Sequence, residues 1–186
     1  MKATGIVRRI DDLGRVVIPK EIRRTMRIRE GDPLEIYTDR EGEVIFKKYS
    51  PIGELTSFAG QYAETLNKIC GFSVLITDRD AVIACAGLSK KEFAERKLSG
   101  ALEAIMENRA LYQYNGLEKV EAIEDNNRHY IGCAMPILSE SDIVGCVASI
   151  RLIGDDRRTP GAALPPETEC KLIQTAASFL GKQLEA

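Results

Sequence analysis

Basic side chains near the N-terminus are the groups in this chain whose types and spacing most clearly suit binding. A short apolar stretch, Pro19 and a cluster of cations follow one another there. If residues 20–28 are helical at about 100° per residue, the cations share one face and Ile22 and Met26 lie opposite. Pro19 suits the start of such a helix, where N–H groups have no intrahelical acceptor. The cations of this face are Lys20, Arg23, Arg24 and Arg27.

The charge of the chain is unevenly distributed. Residues 1–29 hold nine Lys or Arg and three Asp or Glu, a net charge of +6. Residues 51–186 hold 14 basic and 19 acidic side chains, a net charge of −5, although the whole chain carries only −2. A basic head on an acidic body predicts that a polyanion binds the head alone.

Residues suited to catalysis or metal binding are sparse. His129 is the single histidine, so a metal or haem site would lack clustered ligands. Cys133 lies four residues from it, and in a strand that spacing is about 13 Å, too far for proton transfer. No phosphate-binding loop, G-x-S-x-G or H-E-x-x-H motif is present. We therefore expect no enzymatic activity, no metal and no cofactor.

The five cysteines are widely spaced, with no C-x-x-C pair, which predicts buried thiols rather than a disulfide framework. Redox sensing through Cys85, Cys133 or Cys146 is an alternative, although none has an obvious basic neighbour that would lower its pKa. The N-terminus lacks a signal-like apolar core, and no apolar run reaches the roughly 18 residues of a membrane span. We expect a cytoplasmic protein without a membrane partner.

The first 50 residues predict four short strands and one helix. Strands are expected over residues 4–10 and 15–18, joined by a turn, and the basic helix follows. A second hairpin is expected over residues 34–39 and 43–48. So few residues bury too little apolar surface for a stable fold of their own. We therefore predict that this domain dimerises with a second copy of the chain.

Pro51 and Gly53 mark a boundary, so we predict a domain over residues 1–50, a linker at 51–53 and a second domain over 54–186. The second domain should begin and end with amphipathic helices, at 54–70 and 167–184, which could pack together and bundle with another subunit. Between them, strands are predicted at 74–77, 82–86, 120–123, 129–138 and 143–152, helices at 90–97 and 101–108, and a mobile loop at 154–166. This pattern indicates an α+β fold.

The N-terminal residues resemble the AbrB-type transition-state regulators. The resemblance rests on residues 1–9, on Leu13-Gly14-Arg15-Val16-Val17-Ile18-Pro19 and on Ile22-Arg23-Arg24-Thr25. It implies a swapped-hairpin β-barrel formed by two intertwined chains, which binds double-stranded DNA in the nucleoid. The DNA-facing arginines of that family correspond to Arg8, Arg15, Arg23 and Arg24, and Arg9 is a further candidate. Lys20 and Arg27 join them because they share the basic helical face.

With the second domain included, the chain resembles the stage V sporulation protein T family, in which a GAF domain follows the head. The resemblance implies a regulator of sporulation genes, acting as activator or repressor, and a GAF-like sandwich around an antiparallel sheet. Such domains commonly hold a small molecule between the sheet and its covering helices, but no ligand is specified here; a homotetramer built through the terminal helices is the other expected role. An antitoxin that represses its own promoter and binds a toxin is the alternative function.

Overall fold

The chain divides into two compact units, one ending at Tyr49 and the other beginning at Ser50. The computed structural model describes residues 5–154 and 164–185. Most of the loop predicted over residues 154–166 therefore lies outside the described residues. Within the described ranges, no helix is both long and apolar enough to cross a membrane.

The first unit contains a short helix and one hairpin. Helix α1 spans Lys20–Thr25, and strands β1 (Leu34–Thr38) and β2 (Val44–Lys48) pair antiparallel, as predicted. The side chain of Asp39 shapes the connecting turn, because its Oδ1 accepts hydrogen bonds from the N–H groups of Glu41 at 3.0 Å and Glu43 at 2.9 Å.

Helix α1 ends earlier than the predicted helix over residues 20–28. Arg27 has φ +52° and lies outside the helix. The N–H of Ile28 donates to the Arg23 carbonyl at 2.7 Å, and the N–H of Arg27 donates to the Arg24 carbonyl at 3.3 Å. These two bonds form a Schellman motif, which closes a helix through a left-handed residue that is usually glycine. Because an arginine occupies that position, the sequence carries no visible stop signal.

The strands predicted over residues 4–10 and 15–18 are not found: described residues 5–18 belong to no strand. A tight turn joins them, in which the N–H of Asp11 donates to the Arg15 carbonyl and the N–H of Gly14 donates to the Asp11 carbonyl, both at 3.0 Å. Gly14 has φ +76°, as the last position of a three-residue hairpin loop requires. A strand needs a partner for its backbone groups, and the described part of a single chain provides none for these arms.

The second unit contains a five-stranded antiparallel sheet in the order β4-β3-β7-β6-β5. Its strands are β3 (Ser73–Thr77), β4 (Val82–Ala86), β5 (Tyr112–Gln113), β6 (His129–Ser139) and β7 (Asp142–Leu152). Its helices are α2 (Pro51–Glu54), α3 (Thr56–Cys70), α4 (Lys90–Phe93), α5 (Gly100–Glu107) and α6 (Pro166–Gln183).

Helices α3 and α6 cover one face of this sheet, and α4, α5 and the adjoining loops cover the other. The predicted contact between the two long helices is confirmed by three aromatic rings. Phe179 of α6 lies 5.7 Å from the ring of Tyr62 and 5.9 Å from that of Phe58, both on α3. The sheet therefore separates two apolar cores, one on each face.

Several boundaries differ from those that the sequence predicts. Residues 51–53, suggested as a linker, are helical because the Ser50 hydroxyl caps α2 and Ile52 is completely buried. Residues 120–123 form no strand, since only Ile123 pairs, through an isolated bridge to Leu98. Strand β6 contains a bulge at Gly132, between the pairs formed by Ile131 and Cys133.

Candidate nucleic-acid interface

The turn at the tip of the first unit presents Arg15. The side chain of Asp11 accepts from the N–H of Arg15 at 2.7 Å and from its guanidinium Nε at 2.8 Å. These bonds, with a weaker one from the N–H of Leu13, lower the pKa of the Asp11 carboxyl. Arg15 nevertheless remains 69% exposed, so most of its N–H donors face solvent. The ion pair orients the guanidinium but leaves it accessible to an anion.

Arg8 and Arg9 lie on the arm that leads into this turn, and both are exposed. Val7 and Ile10, which flank them, are 87% and 68% exposed. Beyond the turn, the structure describes no backbone bond that joins this arm to the residues that follow Arg15. The arm thus combines two cations with unpaired backbone groups and uncovered apolar side chains.

Helix α1 presents the other cations. Lys20, Arg23 and Arg24 are exposed, whereas Ile22 is half-buried. Pro19, immediately before the helix, is the one fully buried residue among those described in the first unit. Met26, predicted to lie on the packed side, is 54% exposed, because the helix ends at Thr25. The three exposed cations belong to the helix as predicted, but the packed side of the helix is narrower than the sequence predicts.

Arg27 does not share the helical face that the sequence assigns to it. It follows the end of α1 and is half-buried. Its main-chain oxygen accepts from the Nζ of Lys48 at 2.9 Å. The same ammonium lies 3.5 Å from the carboxylate of Asp32, whose side chain is only 3% exposed and also accepts from the N–H of Arg29 at 2.8 Å. These contacts tie the end of the basic helix to β2.

Lys48 and Asp32 position the cations, and the sequence analysis missed both. Lys48 ends a strand of alternating residues, and nothing in its sequence neighbourhood distinguishes it from an ordinary surface lysine. Asp32 precedes Pro33, which indicates a turn but not a buried carboxylate.

The first unit also exposes many large apolar side chains. A surface of this kind is unusual for a small soluble unit, since exposed contiguous apolar groups mark contact sites. These side chains are Ile6, Val7, Ile10, Leu13, Val16, Val17, Met26, Ile36, Tyr37, Val44, Phe46 and Tyr49.

In the second unit, the space between the sheet and its α4–α5 covering is filled by the protein itself. The side chains packed there include several that are at most 2% exposed. They include Leu75, Val82, Phe93, Leu98, Leu102, Ile123 and Ile131.

The cysteines proposed as redox sensors are buried, and burial raises the pKa of each thiol. For Cys146 the pKa rises to about 12. Cys133 is raised by burial and by its contact with Cys170, and Cys85 is raised by burial against a smaller opposing effect of Lys90. A thiol with a raised pKa is a poor nucleophile at neutral pH, so these environments do not favour redox sensing.

His129, the single histidine, is held in a polar contact on the α4 side of the sheet. Its Nδ1 lies 3.0 Å from the side-chain oxygen of Asn126, and its ring packs edge-on against Phe93. Among the described residues, no group of three or more His, Cys, Asp or Glu side chains could hold a metal ion.

Comparison with known proteins identifies both units. The family described as "Stage V sporulation protein T C-terminal, transcription factor" matches residues 54–185. Stage V sporulation protein T of Bacillus subtilis (strain 168) is 51% identical over 100% of this chain and 99% of that protein. The chain belongs to the stage V sporulation protein T family. This is a family of transcription factors rather than enzymes, and it confirms the resemblance found in the sequence.

The head is of the AbrB type, since transition state regulatory protein AbrB of Bacillus subtilis (strain 168) is 46% identical over 44% of this chain and 82% of that protein. The N-terminal DNA recognition domain of the Bacillus subtilis regulator AbrB is 63% identical in the matched region, which covers 27% of this chain and 94% of that one, with a TM-score of 0.25. The family described as "Antidote-toxin recognition MazE, bacterial antitoxin" also matches residues 7–53.

The second unit has an α/β fold that resembles those of solved domains. Residues 122 to 287 of a methyl-accepting chemotaxis protein match 70% of this chain and 88% of that one, at 17% identity and a TM-score of 0.50. A GAF domain/HD domain protein from Geobacter sulfurreducens matches 75% of this chain and 99% of that one, at 13% identity and a TM-score of 0.49. At these identities the likeness concerns the fold alone.

Proposed function

We propose that this family member binds double-stranded DNA through its first unit and regulates sporulation genes, activating some promoters and repressing others. The observation that carries this proposal is the set of exposed arginines on the turn, the arm and the basic helix of an AbrB-type head. The second unit assembles the chains and senses a small molecule. The protein acts in the cytoplasm, on the nucleoid.

Arginine suits this role because its planar guanidinium can bind phosphate oxygens or the edge of a guanine with two hydrogen bonds. Helix α1 is too short to serve as a recognition helix that reads bases deep in a groove. Contacts with the DNA backbone and with DNA shape should therefore dominate recognition. Two heads bring eight or more arginines, which predicts a salt slope of roughly −6 to −8 for binding. The proposed contacts are Arg8, Arg9, Arg15, Arg23 and Arg24, with Lys20 beside them and Arg27 as a weaker candidate.

Two chains should form the head together. In a single chain, residues 5–18 have no strand partner and their apolar side chains are uncovered. Interleaving the arms of two chains would satisfy the backbone groups and bury those side chains, which supports the intertwined dimer. The dimer would also place two sets of arginines on one assembly.

Pairs of dimers should join through α3 and α6. The aromatic cluster of Phe58, Tyr62 and Phe179 lies where these helices meet, and Phe179 is still 40% exposed. A second copy would cover it by packing the two helices against their counterparts as a bundle. Such a tetramer carries two DNA-binding heads, and their linkage increases the effective concentration of the second at the DNA.

Light scattering distinguishes the two proposed interfaces. The full chain should have the mass of four chains, whereas Phe179→Asp should have the mass of two, because only the bundle is broken. Ser178→Asp, at the exposed neighbouring position, should remain tetrameric. Val17→Asp should instead disrupt the interface between the two chains of the head. A wild-type mass of one chain would contradict both interfaces.

DNA binding is tested by fluorescence anisotropy with a sporulation-promoter fragment. Loss of affinity in Arg23→Ala/Arg24→Ala, with unchanged folding, would support the proposal; equal affinity would contradict it.

The match of residues 7–53 to an antitoxin family favours a second candidate, an autorepressor that also binds a toxin. In this chain, however, the residues after the head form a folded α/β unit rather than an extended tail. If the full chain bound a toxin and failed to bind sporulation promoters, the antitoxin function would replace the one proposed above.

A further inference from the structure

A cavity of about 380 Å³ lies at the β5 edge of the sheet, on the side covered by α6. Its walls include Tyr114, Lys119, Tyr130, Arg151 and Cys170. A volume near this size accommodates a small metabolite. This site is open to solvent and is lined by several polar side chains.

Gly132, at the bulge of β6, lines this cavity and leaves space for neighbouring side chains. A Cβ at Gly132 would lie 2.6 Å from Nε of Arg151 and 3.0 Å from both Ser149 Oγ and Glu169 Oε1. Any other residue would therefore displace these side chains, of which Arg151 lines the cavity. Gly132 has no positive φ, so its role here is to leave space rather than to adopt a special backbone conformation.

Arg151, which lines the cavity, forms a partly buried ion pair with Glu169. Glu169, in the first turns of α6, is 7% exposed. Its Oε1 accepts from the hydroxyl of the fully buried Ser149, and its Oε2 accepts from Nη2 of Arg151 at 2.8 Å. The hydroxyl of Ser149 in turn accepts from the N–H of Cys133 at 2.9 Å. The negative charge of Glu169 is thus satisfied within the protein.

A positive charge remains available at the cavity. The Nζ of Lys119 lies 5.1 Å from the ring centre of Tyr130, in a cation–π contact, and its side chain is exposed. Arg151 has five N–H donors, and its side chain is 26% exposed although it already contacts Glu169. The two charged residues that line the cavity, Lys119 and Arg151, are both cations, and Glu169 forms its ion pair with Arg151, so the site favours an anion.

Two tyrosines provide a flat surface beside these cations. The rings of Tyr114 and Tyr130 pack at 62°, with centres 4.9 Å apart. Such rings stack against planar or apolar groups.

From this arrangement we infer that the cavity binds a small organic anion, whose carboxylate or phosphate contacts Lys119 and Arg151 and whose flat body lies against Tyr114 and Tyr130. The inference rests on the sensing role proposed for the second unit and specifies its site. Glu169 and Cys170 belong to α6, the helix that carries Phe179, so an occupied cavity contacts a proposed assembly helix directly.

Fluorine NMR of the full chain labelled with meta-fluorotyrosine tests this site. The chain has six tyrosines and no tryptophan, and the signals of Tyr114 and Tyr130 are assigned by Tyr→Phe substitution. The probes are phenyl phosphate and benzoate, with benzyl alcohol as the neutral probe of similar shape. We expect one or both anions to shift the Tyr114 and Tyr130 signals saturably and benzyl alcohol to leave them unchanged.

Two variants locate the binding. Lys119→Glu should weaken binding of the anion about tenfold or more, as expected for loss of a charge-assisted contact. Gly132→Ala should weaken it by displacing Arg151, and Lys182→Glu, an exposed position near the end of α6, should not. Absence of saturable shifts with both anions, or equal binding by Lys119→Glu, would overturn the inference.

DNA binding measured on the same samples distinguishes a failure of the anion site from a failure of the proposed function. Lys119 belongs to the second unit, so Lys119→Glu should leave the arginines of the head unchanged. A protein that binds promoter DNA but neither anionic probe would retain its regulatory role and lose only the site inferred here.

Discussion

The ammonium of Lys48 lies 2.9 Å from the main-chain oxygen of Arg27 and so joins the last residue of β2 to the end of the basic helix. It also lies 3.5 Å from the nearly buried carboxylate of Asp32. Lys48→Met should lower the free energy of unfolding of the head by about 1–3 kcal/mol, because the ammonium's contacts with Asp32 and with the Arg27 carbonyl are lost. Thermal unfolding of the full chain measures the change.

Lys47→Met is the matched control, since Lys47 precedes Lys48 on β2 and is exposed. Both variants remove one positive charge, and the general electrostatic attraction to DNA should fall equally. Lys48→Met should lower DNA affinity further, because α1 is less firmly positioned. Equal affinities and equal stabilities for the two variants would show that the contact does not position the helix.

The left-handed conformation of Arg27 predicts that glycine is better tolerated than alanine at this position. Arg27 has φ +52°, which costs an L-residue about 1 kcal/mol and glycine little. Arg27→Gly should therefore be more stable than Arg27→Ala by about 1 kcal/mol, as measured by urea unfolding. The two variants lose the same guanidinium, so the difference reports the backbone alone. Equal stability would indicate that the helix ends differently in solution.

Close packing of α6 on β6 depends on Gly181. A Cβ there would lie 2.1 Å from the carbonyl oxygen of Leu138, a backbone atom that cannot rotate away. Gly181→Ala should force the helix outward and lower stability by about 1–3 kcal/mol. Gly100→Ala, which has no atom within 4 Å of its Cβ, should change stability by less than about 0.5 kcal/mol. Denaturant unfolding of both variants tests this contrast.

The buried thiols predict a loss of stability at high pH. Burial raises the pKa of Cys146 from 9.0 to about 12, so above pH 9 the unfolded chain releases a proton that the folded chain retains. Its contribution is complete below pH 9 and falls by about 1.4 kcal/mol per pH unit as the pH rises towards 12. Urea unfolding between pH 8 and pH 11 should give a shallower pH dependence for Cys146→Ala than for wild type.

Cys70→Ala serves as the comparison, because Cys70 is only half-buried. The stability of Cys70→Ala should depend on pH in the same way as that of the wild type. Parallel curves for all three proteins would mean that Cys146 titrates at an ordinary pKa in the folded state.

Local patterns in the sequence predict much of this fold. The alternation along residues 34–48 predicts the hairpin, and the apolar stripes that contain Phe58 and Phe179 predict two helices that pack together. These features depend on neighbours in the sequence or on one buried face, which periodicity reports directly. The exposure of Arg23 and Arg24 follows in the same way, because Ile22 marks the packed side of a short helix.

Features that depend on particular contacts could not be predicted. The end of α1 is set by a left-handed arginine, where the usual signal is glycine. The strands expected over residues 4–10 and 15–18 need backbone partners that the described single chain does not supply. The cavity at Gly132 lies where a bulge in β6 meets Arg151 and Ser149 of β7 and Glu169 of α6, a contact among elements distant in the sequence.

The central claim is that the exposed arginines of the arm, its turn and the basic helix bind DNA, and a salt titration tests it most directly. Fluorescence anisotropy with a sporulation-promoter fragment would compare the intact chain with Arg8→Ala, with Arg23→Ala/Arg24→Ala and with Arg40→Ala, an exposed arginine of the β1–β2 turn. We predict a steep salt dependence that becomes shallower in the first two variants and is unchanged in Arg40→Ala, with folding intact in all. Identical salt slopes in all four proteins, or no binding by any, would contradict the account.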